Sequence, residues 1–447
     1  MKKWSSLFLG LALVLTMAAP SNAFYVNPGD RGDLLIFPAY IALDGGWESK
    51  ITVINTSETY ATVAKVVFRS WKNSEEILDF LIYLSPADVF TATIAYDPAI
   101  GRPVVRSADD SVLVELGTFA TPAKPMVKDI VPPSDPNDNG QIGYLYVINA
   151  ATWQANPSSP SLVPKSAIFN WYHRLATDAN GVALFANEYP YNILGGFEEI
   201  VWQGQRASFA LKPVAVANYN NLNFIDAGVE TVLAGQGETS IGLSRLEDLL
   251  AKRRIMLPYY NNERGNTFHF FTFPTKISGQ TQRAGYWWNL GPDRRYATAD
   301  DGARTCTTVA AKIYDTTEKF SIFSPAPVTD LCDEITWIEI LPDIVPFAEG
   351  WVRYDFTTVA NPFYALDAGI TVLRNLYPPV IPFVVNVGPN GLFALQTIWE
   401  GDAFNRYSYG DFASFGNNAV FQLNGGGVWI GWENAPGLEV TPEVSPE

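Results

Sequence analysis

Histidine is nearly absent from this chain, and this limits the chemistry that its side chains can perform. His173 and His269 are the two present, so a Ser–His–Asp or Cys–His site would have to use one of them. A His-rich zinc site is excluded by the count. Both histidines lie among aromatic residues in segments that we predict to be strands, 167–174 and 267–273. We therefore expect packed strand residues rather than general bases, and we predict no catalytic residue.

Paired carboxylates are the remaining candidates for acid–base chemistry. Acidic residues are adjacent at Asp109-Asp110, Glu198-Glu199 and Asp333-Glu334. A glycoside hydrolase needs two carboxylates about 5–10 Å apart across a cleft. Neighbouring residues of a strand point to opposite faces, so none of these pairs forms such a site by itself. Carboxylates distant in sequence can still converge, which leaves a glycoside hydrolase as one alternative function.

One segment matches the opening half of a calcium-binding loop. Asp135, Asn137 and Asn139 are spaced as Asp-x-Asn-x-Asn and are followed by Gly140. Carboxylate and amide oxygens, with a glycine for the sharp turn, are what calcium requires. The glutamate that closes such a loop is missing, because Tyr146 occupies the twelfth position. We favour a solvated turn, with calcium as the alternative, and predict no other cofactor.

Aromatic side chains and one tripeptide suggest binding functions. The adjacent Trp287 and Trp288 could form a flat platform for sugar rings, although tryptophans in a β-sandwich more often lie in the core or at an interface. Arg31-Gly32-Asp33 reproduces a cell-adhesion tripeptide, which we attribute to chance. A module that binds glycans or a neighbouring envelope protein is therefore a second alternative function.

The N-terminus has the features of a secretory signal peptide. Lys2 and Lys3 precede an apolar run over 7–19, and Ser21-Asn22-Ala23 supplies a small-residue cleavage site. We predict export with a mature chain that begins at Phe24; the alternative is a signal anchor that stays in the membrane. No later segment has 18 consecutive apolar residues, so we predict no transmembrane helix in the mature chain. In an oxidising compartment the two cysteines of the chain, Cys306 and Cys332, predict one disulfide, with two free buried thiols as the alternative.

Composition narrows the class of protein and its partners. Apolar residues make up 47% of the chain and charged residues 17%, which argues against disorder. The formal net charge of −16 becomes −18 once Lys2 and Lys3 are removed. A chain this acidic is a poor partner for nucleic acid or an anionic membrane. The partners we predict are proteins, either a second copy or other envelope proteins, and polysaccharide.

Hydrophobic periodicity predicts a protein that is mainly all-β. Apolar residues alternate with polar ones in many short segments separated by turn residues, as at Val352, Tyr354 and Phe356 against Trp351, Arg353 and Asp355. One short amphipathic helix is predicted near 244–255, where Ser244 and Glu247 form a capping box. We predict two immunoglobulin-like or related antiparallel β-sandwich domains, in a chain divided as follows: signal peptide 1–23, N-terminal sandwich 24–120, Pro-rich linker or long loop 121–140, C-terminal β-rich region 141–436 and polar tail 437–447.

Several segments resemble a group of uncharacterised secreted proteins of anaerobic bacteria. The segments are residues 32–38, 64–70, 73–76, 79–86 and 271–276. The resemblance implies an envelope or extracellular protein and brings no activity, cofactor or catalytic residue with it. Together with the scarcity of histidine and the abundance of strands, it favours a secreted, non-enzymatic cell-surface or extracellular structural protein that could self-assemble through strand addition or aromatic interfaces.

Overall fold

A computed structural model gives the architecture of the chain. It describes residues 25–71, 76–112, 123–126, 140–154, 163–176, 192–219, 246, 249–260, 266–274, 307–317, 319–322, 329–331, 333–340, 345, 347–356, 359–365, 370–376, 378–388, 391–395, 420–422 and 428–430.

The described residues before 220 form twelve strands and one α-helix. In chain order they are β1 (Tyr25–Val26), β2 (Leu34–Ile41), β3 (Trp47–Asn55), β4 (Tyr60–Ser70), β5 (Glu76–Leu84), β6 (Val89–Asp97), β7 (Arg102–Arg106), β8 (Ala123–Pro125), β9 (Ile142–Gln154), α1 (Lys165–Ala176), β10 (Leu194–Trp202), β11 (Ala207–Leu211) and β12 (Val214–Ala217). They build two antiparallel sheets. Sheet I has the order β1-β12-β2-β9-β4-β5, and sheet II has the order β11-β10-β3-β6-β7-β8.

The described residues after 253 form a second set of strands. They are β13 (Arg254–Tyr260), β14 (Asn266–Thr272), β15 (Thr307–Asp315), β16 (Phe320–Ile322), β17 (Thr329–Leu331), β18 (Ile335–Ile340), β19 (Glu349–Phe356), β20 (Val359–Ala365), β21 (Ile370–Leu376), β22 (Ile381–Gly388), β23 (Gly391–Leu395), β24 (Val420–Gln422) and β25 (Val428–Ile430). Sheet III has the order β13-β19-β15-β16, with β17 also paired to β15, and sheet IV has the order β18-β14-β22-β23. β20 pairs with β21, and β24 with β25.

The central strands of sheet I carry apolar residues at successive positions, which is typical of a sheet that is covered on both faces. Every residue of β2 is buried. One face, with Phe37 and Val66, packs against Ile51 of sheet II. The opposite face, with Val67 and Tyr146, shares a core with α1 and with sheet IV.

Sheet IV in turn covers sheet III. Val384 of β22 and Phe271 of β14 pack against Leu257, Ile313 and Val352 of sheet III. Its Ile381 and Phe383 face the other way, into the core shared with sheet I. The layers therefore follow the order II, I, IV, III, two stacked antiparallel sandwiches. The prediction of a mainly all-β, antiparallel sandwich protein is confirmed.

A close approach of two strands explains one glycine. Gly143 of β9 lies opposite Ser70 and next to the Arg69 carbonyl. A Cβ added there would lie 2.0 Å from the Arg69 carbonyl oxygen and 2.6 Å from the Tyr40 hydroxyl. Glycine thus lets β9 pass between β2 and β4 at the centre of sheet I.

The helix predictions need correction. Residues 167–174, predicted as a strand, lie in helix α1. The buried Ile168 and Tyr172 are four residues apart, which is a helical spacing. The helix predicted near 244–255 is shorter at its C-terminal end. Leu246, Leu249 and Leu250 are helical, but Ala251 forms a bridge with Pro379, and β13 begins at Arg254.

The strand pairing also crosses the predicted division at residues 121–140. β9, from the predicted C-terminal region, lies between β2 and β4 in sheet I, and β10 pairs with β3 in sheet II. The described piece of the Pro-rich segment, β8, pairs with β7. Pairings this distant in sequence leave no local signal, because each strand's own alternation is the same whichever partner it has.

Candidate functional site

His269 is a fully buried residue of β14 whose two ring nitrogens are both hydrogen bonded. Nε2 lies 2.8 Å from the Pro258 carbonyl oxygen and Nδ1 lies 2.7 Å from the Tyr354 hydroxyl. Because a carbonyl only accepts, Nε2 carries the proton, and Nδ1 accepts from Tyr354. Burial lowers the pKa of His269 to about 4 and raises the pKa of Tyr354 well above its usual value. The imidazole is thus a neutral core group, and the prediction of a packed strand residue is confirmed.

Side chains of sheet IV take the place of a neighbouring strand along β13, the edge strand of sheet III. The Thr267 hydroxyl accepts from the Tyr260 N–H at 2.9 Å and donates to its carbonyl at 3.1 Å. The Asn386 amide donates to the same carbonyl at 3.0 Å. His269 donates to the Pro258 carbonyl, so the main-chain groups at this end of the edge are already bonded within the molecule. These bonds hinder an incoming strand at the Pro258–Tyr260 end of β13.

His173 lies on helix α1, so the prediction that it is a strand residue was wrong. Its Nε2 is 3.1 Å from the Tyr83 hydroxyl, and its ring centroid is 4.0 Å from that of Phe169. The ring is half-buried against sheet I. The two histidines of the chain therefore sit in different layers and do not form a shared site.

Two cations of β4 are fully buried on the face of sheet I that sheet IV covers. The Lys65 ammonium lies 2.7 Å from an Asp79 carboxylate oxygen. The Arg69 guanidinium lies 3.2 Å from Glu76 Oε2 and donates to the Tyr146 hydroxyl at 2.9 Å. Burial alone would lower the pKa of Arg69, but Tyr146 and Glu76 outweigh it and raise that pKa. Each buried cation thus has a carboxylate partner, which is the condition for a buried charge to persist.

Polar contacts beside these cations join the two sandwiches. The Thr272 hydroxyl donates to the Pro38 carbonyl at 2.6 Å, and the Ile335 N–H donates to the Trp71 carbonyl at 2.9 Å. The Trp71 and Trp337 rings lie 5.4 Å apart. Main-chain groups and aromatic rings of sheets I and IV thus meet directly. We call the buried cations with these contacts the junction.

Lys165 at the start of α1 resembles one half of a serine–lysine catalytic pair. Its ammonium donates to the Ser111 hydroxyl at 3.1 Å, and burial lowers its pKa to about 8. The same ammonium forms an ion pair with Asp88, however, and Ser111 is fully buried. The ion pair favours the charged amine, which donates rather than accepts a proton. The arrangement anchors α1 to the β5–β6 turn and does not expose a nucleophile.

Glu198 of β10 is a fully buried carboxyl group. Neither of its oxygens is hydrogen bonded, and burial raises its pKa well above the usual value. The hydrogen bonds of the nearby Ser49 hydroxyl go to the main chain of Ile41. Its neighbour Glu199 lies on the opposite, partly exposed face of β10, so this acidic pair is not a catalytic dyad, as the alternation predicted.

The outward face of sheet III presents charged and aromatic side chains in rows that cross three strands. The face consists of Arg254, Met256, Pro258, Lys312, Tyr314, Trp351, Arg353 and Asp355, whose neighbours along each strand point into the core. Asp355 bridges two cations, with Arg254 Nε at 2.8 Å and Arg353 Nη2 at 2.7 Å. Lys312 lies directly opposite Arg353. We call this set the outer face of sheet III.

The third row of the outer face is aromatic. Tyr314 and Trp351 stack with their ring centroids 3.8 Å apart and an interplanar angle of 9°, and Pro258 lies opposite Trp351 on the next strand. The row forms an apolar ledge beside the cations. Two strands, β15 and β19, carry a basic and an aromatic residue in the same alternation phase, and this was the signal in the sequence that could have predicted the face as a site.

The residues predicted as sites from sequence lie outside the described part of the chain. They are Cys306, Cys332, Asp135, Asn137, Asn139, Trp287 and Trp288. The described Tyr146, at the twelfth position of the calcium-type loop, is buried in sheet I and hydrogen bonded to Arg69, so it is not a ligand. Asp33 of the adhesion tripeptide is also buried and accepts from the Tyr219 N–H.

The described residues contain no group of three or more His, Cys, Asp or Glu side chains placed to hold a metal ion. Within the same residues, no helix has the length and apolar character needed to cross a membrane. Comparisons with protein families, with curated proteins and with solved structures found no match to this chain. The resemblance to secreted proteins of anaerobic bacteria therefore stays a prediction.

Proposed function

We propose that this chain is a non-enzymatic structural protein of the cell surface or extracellular space. The observation that carries the proposal is the junction. Lys65 and Arg69, which could otherwise act on a ligand, are fully buried in ion pairs that link β4 to β5 within sheet I. His269 of sheet IV is held in the core by hydrogen bonds to Pro258 and Tyr354 of sheet III. Chemically able side chains thus hold strands and layers together, as expected of a rigid scaffold.

The extracytoplasmic location rests on the N-terminal sequence. A basic start, a short apolar run and the small residues before Phe24 are typical of a cleaved export signal. Fractionation of the producing cell with N-terminal sequencing would test it. We expect a mature protein that begins at Phe24 outside the cytoplasm; an intact chain in the cytosol would contradict the proposal.

Self-assembly is the part of the proposal that an experiment can address most simply. The bonded edge of β13 disfavours strand addition there, so we expect contacts through sheet faces or other edges. Light scattering and negative-stain microscopy of the mature protein, across salt and calcium concentrations, should show ordered multimers. A strict monomer under all conditions would contradict self-assembly, and turnover in a screen of sugar polymers would contradict the non-enzymatic assignment.

A further inference from the structure

We propose that the outer face of sheet III binds an acidic polysaccharide, with carboxylate groups on the cations and sugar rings against the aromatic row. Two like charges face each other on this face. Lys312 and Arg353 occupy directly opposite positions of β15 and β19, where side chains are about 5 Å apart and like charges repel. Asp355 offsets only part of this repulsion, because the same carboxylate also pairs with Arg254. An anion placed between the two side chains would relieve it.

Positive charge is in excess at the centre of this face. Arg254, Lys312 and Arg353 face outwards together, and Asp355 bridges only the two arginines. Glu349, in the same alternation phase, lies opposite Tyr260 at the far end of the face. The centre of the face is thus a positive island in a chain of net charge −16. Such an island attracts a polyanion locally, against the charge of the chain as a whole.

The aromatic row beside the cations favours a sugar over other anions. The Tyr314–Trp351 stack and Pro258 form an apolar ledge one row from the cations. Sugar rings present apolar C–H faces that pack against aromatic side chains, while their carboxylates accept hydrogen bonds from guanidinium and ammonium groups. Rows that cross neighbouring strands about 5 Å apart offer repeated contacts to a linear polymer. An acidic polysaccharide combines both chemistries along one chain.

Calorimetric titration of the mature protein with polygalacturonate tests the proposal, with neutral dextran as the comparison polymer. We expect binding to polygalacturonate alone, weaker at 0.5 M than at 0.05 M salt because exposed charges are screened. Lys312→Gln should weaken binding by about two- to fivefold, the range for one exposed charge contact. The double change of Lys312→Gln with Arg254→Gln should weaken it further. Circular dichroism confirms the fold of each variant.

Lys50→Gln is the control, because it removes another partly exposed lysine of a central strand, on the outward face of sheet II. We expect it to leave the affinity for polygalacturonate unchanged. Absence of binding by the wild-type protein, equal binding of dextran, or equal weakening by Lys50→Gln and Lys312→Gln would each overturn the proposal. The result is independent of the structural function proposed above, which light scattering tests without any glycan.

Discussion

Acidification should destabilise the second sandwich through His269. The pKa of this histidine is about 4 in the folded protein, against a reference value of 6.5. Between these values the unfolded chain binds a proton that the folded protein does not. The contribution of the neutral imidazole to stability is therefore complete above pH 6.5 and is lost as the pH falls towards 4. A difference of this size corresponds to about 3 kcal/mol.

The variant His269→Gln isolates this effect. A glutamine amide can donate to the Pro258 carbonyl and accept from the Tyr354 hydroxyl, but it does not titrate. Carboxylates elsewhere titrate in both proteins, so their effects cancel in the comparison. Urea unfolding followed by tryptophan fluorescence at pH 7.5, 6, 5 and 4.2 gives the free energy of unfolding of each protein.

We expect the stability of the wild type, relative to His269→Gln, to fall by about 3 kcal/mol between pH 7.5 and pH 4. His173→Gln is the control, because it removes the other imidazole of the chain. A difference between wild type and His269→Gln that is the same at both pH values would refute the reasoning. So would an equal pH response on substitution of His173.

Three further predictions concern buried groups and the cysteines. Because burial raises the pKa of Glu198, the folded carboxyl holds a proton that the unfolded chain releases above about pH 4.5. The free energy of unfolding should therefore fall as the pH rises above about 4.5. Glu198→Gln should flatten this fall, as measured by urea unfolding. Arg69→Met leaves Glu76 buried without its cation and should cost about 3–5 kcal/mol, measured by thermal unfolding; a loss below about 1 kcal/mol would contradict the buried pair. A disulfide between Cys306 and Cys332 should appear in non-reducing peptide mass spectrometry, and replacing both by serine should cost roughly 3–4 kcal/mol; two free thiols in the oxidised protein would rule it out.

Alternation along strands could be read from sequence because it is a local property. In β19, Val352, Tyr354 and Phe356 point into the core, as predicted from their alternation. Trp351, Arg353 and Asp355 point outwards. In β4, Lys65 and Arg69 alternate with apolar residues on the opposite face, but the face that they occupy is as buried as the other. Alternation reports which residues share a face, not whether another sheet covers that face.

Long-range features could not be predicted. Nothing near β9 indicates that it inserts between β2 and β4, because that choice depends on strands formed by distant segments. The role of His269 at the edge of β13 likewise requires Pro258 and Tyr354 to be placed by other strands. Helix α1 was missed for a different reason. Its segment is rich in aromatic residues, which favour strands, and the helical spacing of Ile168 and Tyr172 was the signal that could have found it.

Hydrogen exchange of the Thr272→Val variant, read by mass spectrometry, tests most directly whether the junction holds the two sandwiches together, because this variant lacks the hydrogen bond to the Pro38 carbonyl of sheet I. If the junction does so, peptides from β2 and β9 of sheet I and from β14 and β18 of sheet IV should lose protection together. Loss of protection confined to sheet IV, with sheet I exchanging as in the wild type, would contradict the account.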